Sequence, residues 1–147
     1  MDESQLYTAL ELKSSDPKKA AMIAGEISDP DLQRIALVTV APSYRGTDAS
    51  QATSWVKSAD ERLAHMEPST AKLRLTVALC RSYLAEKKTV RSVELMNEGF
   101  DLGEHLFEQY MRENPGAMAY TADRFDALQD LTQLSVKGMT GSEVPIG

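Results

Sequence analysis

Apolar residues recur along most of this chain at spacings of three and four, the period of a helix that buries one side. Between 17 and 27, Ala20, Ala21, Ile23, Ala24 and Ile27 make a face of small residues suited to close packing. Helix starts are punctuated by a carboxylate before a proline at Asp16-Pro17, Asp29-Pro30 and Glu67-Pro68, because proline in the first turn gives up only an N–H that has no helical acceptor. Together these signals predict seven helices, at about 3–14, 17–27, 30–41, 48–66, 69–86, 89–113 and 118–137. The run Ile35-Ala36-Leu37-Val38-Thr39-Val40 has the β-branched texture of a buried strand, but the sequence offers no second strand to pair with it, so it reads as helix. Pro42, Gly46 and Thr47 should break the chain after it, and Asn114-Pro115-Gly116 should make a turn before the last helix. The expected organisation is one all-α domain over 1–137, with 138–147 a tail rich in glycine.

The two helix–acidic-Pro–helix units around residues 30 and 68 are offset by 38 positions, which superposes Ile35 on Leu73 and Leu37 on Leu75. In this layout residues 3–113 resemble an α-solenoid of stacked antiparallel helix hairpins, of the tetratricopeptide or HEAT type. The tetratricopeptide consensus of Trp, Leu, Gly, Tyr, Ala, Phe, Ala and Pro cannot be laid over any stretch, and Trp55 is not followed by its Leu-Gly pair. The resemblance implies a protein-binding scaffold and assigns no functional residue. A compact helical bundle is the alternative architecture.

Charge narrows the functional classes. The 147 residues carry 22 acidic and 16 basic side chains, a net charge of −6, which argues against the basic footprint of a general nucleic-acid binder. The longest apolar stretch, 36–41, is far shorter than the roughly 18 residues of a membrane span, and the acidic start at Asp2-Glu3 does not read as a secretory signal, so a cytoplasmic protein is expected. A single cysteine excludes an internal disulfide. Beneath the total lies a segregation: 72–91 holds six basic residues against Glu86, and 92–113 holds six acidic ones against Arg112. If 69–86 and 89–113 form a hairpin, these stripes should face each other and fix its register, each exposed pair contributing about 0–1 kcal/mol.

Segment 89–113 is the most informative. Its apolar positions fill half the circumference and include Gly99 and Gly103, whose cost of about 1 kcal/mol each relative to alanine suggests close approach of another helix backbone. On the opposite half Glu94, Glu98, Asp101, His105, Glu108 and Arg112 fall in one line, and like charges four apart are held there against their repulsion. This line reads as a solvated face or as a surface for a basic partner. His105 with Asp101 and Glu108 is the only constellation that suggests a metal.

Catalysis finds little support. Cys80 lies on an apolar seam with Leu73, Val77 and Leu84, where a thiol behaves as a small hydrophobe, and Glu61 with His65 are too few for a metal site. Phosphate-binding glycine loops are absent from the sequence. Trp55 extends an apolar row with Ala59 and Leu63, and Tyr44 is expected in a loop where it could contact a partner. The sequence therefore predicts a non-enzymatic helical scaffold without cofactor or metal, binding a protein or peptide through the acidic face 94–108, and able to self-associate. The alternative is a small helical-bundle metal-binding protein or enzyme using His105 and its neighbouring carboxylates.

Overall fold

A computed structural model describes residues 1–117, and the predicted helix 118–137 and tail 138–147 lie outside the described residues. The described chain is all-α: α1 Asp2–Leu12, α2 Pro17–Gly25, α3 Pro30–Tyr44, α4 Ala49–Leu63, α5 Thr70–Ala85, α6 Thr89–Glu113 and a short 3₁₀ turn Pro115–Ala117. The first six predicted helices are all present. The chain divides into two compact units, Met1–Leu106 and Phe107–Gly147, and the boundary falls within α6. Among the described residues no helix is long and apolar enough to cross a membrane.

Local chemistry explains most helix ends. Asp16 accepts from the Lys19 N–H at 3.2 Å, Asp29 from those of Asp31 and Leu32 at 2.9 and 3.0 Å, and Asp48 from that of Gln51 at 3.0 Å. At α5 the cap is Ser69, one residue beyond the Glu67-Pro68 signal, accepting from the Lys72 N–H at 3.1 Å. Helix α5 ends in a Schellman turn, with the Lys87 N–H on the Leu84 carbonyl and the Lys88 N–H on that of Tyr83, and this places Lys87 in the left-handed region at φ 62°. At the other end of the chain Asp2 accepts from the Ser28 N–H and hydroxyl and from the Asp29 N–H, tying α1 to the α2–α3 turn.

The β-branched run is helical, as expected, but α3 does not stop at Pro42. It continues to Tyr44, carrying Pro42 inside, so Tyr44 is helical rather than in a loop, and its ring packs on Trp55 at 4.9 Å between centroids. Proline cannot donate to the carbonyl of Val38, and the helix tolerates this loss because α3 is held on several sides. It is the central helix, packed against α1, α2, α4 and α5. Ile35, Ala36, Val38, Val40 and Ala41 are all buried, which is why the run shows no polar face. Connections of four to six residues join α1 to α5 in succession, and contacts between like ends, Asp2 with Ser28 and Asp29 before α3, Glu3 with Arg74 early in α5, and Arg45 with Glu86 after α3 and α5, make α1, α3 and α5 run the same way.

The buried face of α5 is also not the expected one. Leu75, Thr76, Ala78, Leu79 and Ser82 are inside, whereas Val77 and Leu84 of the predicted seam are exposed and Cys80 is half-buried. Two apolar rows lie on this helix, and the row that meets α3 wins. Cys80 instead contacts α6, its Sγ 3.3 Å from the Ser92 carbonyl while the Ser92 hydroxyl lies 3.4 Å from the Cys80 carbonyl.

Candidate functional site

Helix α6 meets the rest of the first unit through a narrow strip. Ser92 and Leu95 are buried, and a Cβ added at Gly99 would lie 3.5 Å from Thr76 Cγ2 on α5, an ordinary contact. At Gly103 an added Cβ would meet nothing within 4 Å. The two glycines therefore do not mark a close backbone approach among the described residues, contrary to the expectation from their cost.

The predicted acidic line stands on the surface. Glu94, Glu98, Asp101 and His105 are exposed on α6 in the first unit, and Glu108 and Arg112 are exposed on its continuation in the second. Glu94 and Glu98 share one cation, Arg91, whose Nη1 lies 3.4 and 3.3 Å from them. Asp101, Glu104 and Glu108 enter no ion pair among the described residues. Glu98 and Asp101 border a cleft of about 390 Å³ between α4, α5 and α6, which Asp60, Lys72, Thr76 and Leu102 also line.

Behind this line is a polar cluster that the sequence did not reveal. Arg91 grips Asp60 of α4 in a fork, Nη2 to Oδ1 at 2.6 Å and Nε to Oδ2 at 3.2 Å, and the Tyr83 hydroxyl of α5 donates to the same carboxylate at 2.7 Å. Burial pushes the Asp60 carboxyl upward, but the hydrogen bonds from Arg91 and Tyr83 outweigh it and hold the group below its ordinary value. The same burial, reinforced by Asp60, pushes the Tyr83 phenol well above its usual range. The hydrogen bond to Asp60 likewise makes the Arg91 guanidinium harder to deprotonate. No periodic signal links residues 60, 83 and 91; only folding brings them together.

The stripes of opposite charge do not face each other as predicted. Arg74 of α5 reaches α1 instead, pairing with Glu3 at 2.9 Å, and the hydrogen bond holds the Glu3 carboxyl below its ordinary value. Among the described residues Arg91, which sits on α6 itself, is the one member of the basic segment that pairs with the acidic line. A second clasp joins Arg45, at the end of α3, to Glu86, at the end of α5, with Lys88 3.7 Å from the same carboxylate oxygen.

Among the described residues no group of three His, Cys, Asp or Glu side chains is arranged to hold a metal ion, so His105, Asp101 and Glu108 do not form one. No protein-family model, curated protein or solved structure matches this chain.

Proposed function

We propose that this chain is a helical scaffold that binds a protein or peptide partner, and that the partner brings basic side chains to the acidic face of α6. The observation that carries this reading is the imbalance on that face in the first unit: Asp101 and Glu104 are exposed and enter no ion pair among the described residues, and Glu94 and Glu98 divide one guanidinium between them and with Asp60. A Lys or Arg side chain reaching the cleft would meet Asp101, which enters no ion pair among the described residues, beside Glu98, which already shares Arg91; Lys72 lines the same cleft. The rigid frame supports the reading, since the Asp60–Arg91–Tyr83 cluster ties α6 to α4 and α5 at the root of this face.

Such binding is sensitive to ionic strength, because exposed charges are screened within about 10 Å at 0.1 M salt. The test is native co-purification at low salt, compared between the wild-type chain and the double charge reversal Glu98→Lys with Asp101→Lys. A partner released by salt and lost in the double variant, with the melting temperature unchanged, supports the assignment. A partner retained by the variant at every salt concentration overturns it.

A further inference from the structure

Between α1, α3 and α5 lies a groove of about 590 Å³, within the range of small-molecule sites. Helix α3 forms its floor, with Ile35, Val38, Thr39 and Pro42 at the i, i+3, i+4, i+7 spacing of one face, and α1 and α5 form the walls. Because these three helices run the same way, the groove has two distinct ends. At the end formed by their N-terminal parts stand Leu6, Ile35 and Leu73, and the one cation there, Arg74, is already neutralised by Glu3. Toward the C-terminal parts stand Lys13 and Arg81, neither of which enters an ion pair among the described residues. The buried Ser82 backs the groove at this end.

Lys13 and Arg81 thus leave positive charge uncompensated at one end of the groove, whereas the charge of Arg74 at the other end is neutralised and the surface between them is mostly apolar. Unpaired charge at one end and a largely apolar trough leading from it match a molecule with an anionic head and an apolar tail. We infer that the α1–α3–α5 groove binds a single-chain amphiphile with a carboxylate head, its head beside Lys13 and Arg81 and its alkyl chain along Val77 toward Leu6. This site is separate from the acidic face of α6 and does not depend on it.

Isothermal titration of the full chain with decanoate, below the concentration at which it forms micelles, tests the inference. Saturable binding to a single site is expected, with decyltrimethylammonium failing to bind there because it brings a like charge to Lys13 and Arg81. Arg81→Glu should weaken decanoate at least roughly tenfold, the scale expected for losing a charge-assisted contact. Val77→Trp, at an exposed groove position, should weaken it comparably by filling the trough, and both variants should melt like the wild type. Absence of saturable decanoate binding, equal binding of the cationic analogue, or affinity unchanged in both variants would each overturn the inference. If an acidic amphipathic peptide bound in competition with Arg81→Glu sensitivity while decanoate did not, the head-and-tail assignment would be wrong.

Discussion

Helix α3 buries five of its fifteen residues and is touched by four other helices, whereas α6, with twenty-five residues, buries only Ser92 and Leu95. The contrast runs against the visual strength of their sequence patterns. A helix covered on many sides needs no polar face, so α3 looks like a strand on paper. A helix held along one strip must present charge to water, so α6 shows a sharp division of apolar and acidic sides. Amphipathicity thus reports how much of a helix is uncovered, and not how much it contributes to the core. Outside the strip, α6 leaves Val93 and Met96 half exposed and Phe100 70% exposed.

The sharpest way to break this comparison is to place a charge on each helix. Val40→Asp in α3 buries a carboxylate at a fully enclosed position and should cost at least about 4 kcal/mol, unfolding the chain or nearly so. Phe100→Asp in α6 should stay within about 0.5 kcal/mol in denaturant unfolding, as a surface change. A comparable loss at Phe100 would show that its row is covered in solution. Next in size is the clasp that holds α6 in place: Asp60→Ala leaves Arg91 and Tyr83 without their shared acceptor and should cost about 2–4 kcal/mol by the same measurement.

The clasp also sets a pH dependence. Asp60 titrates below its ordinary value of 3.8 in the fold, so its contribution is complete above that pH and is lost as pH falls through the lower folded value. Glu3, held by Arg74, and Asp2, held by Ser28, act in the same direction. Tyr83 acts oppositely: its contribution is complete below the ordinary phenol value of 10.0 and is lost as pH rises toward the higher folded value. Melting temperature should therefore be flat across neutral pH and fall at both extremes, and Tyr83→Phe should remove the phenol's share of the alkaline fall. The smallest effects are gains. Lys87→Gly relieves a left-handed lysine and should stabilise by about 1 kcal/mol. Gly103→Ala, with open space around the new methyl among the described residues, should add up to about 1 kcal/mol of helix propensity.

Helix positions were legible because they are written locally. Asp16, Asp29 and Asp48 each cap the helix that follows, and the residues that form the cap are neighbours in sequence. The exposed acidic row was legible for the same reason, since helical spacing alone lines up Glu94, Glu98 and Asp101. What stayed hidden depends on partners far along the chain. The inner face of α5, with Leu75 and Leu79 buried, could not be chosen from two apolar rows without knowing that this helix packs on α3 and α4. The passage of α3 through Pro42 rests on support from four neighbours rather than on its own propensity. The Asp60–Arg91 fork joins residues 31 apart with nothing periodic between them, so the charge segregation pointed to the wrong pairing.

Nearly all of the helix packing in the first unit joins elements adjacent or next-but-one in the chain: α1 with α2 and α3, α2 with α3, α3 with α4 and α5, α4 with α5. Contacts of short sequence separation close small loops, and chains built from them fold quickly. The exception is the Glu3–Arg74 pair, which spans 71 positions. It closes the largest loop in this unit, so the end of the α1–α3–α5 groove should be among the last parts of the molecule to form and the first to open.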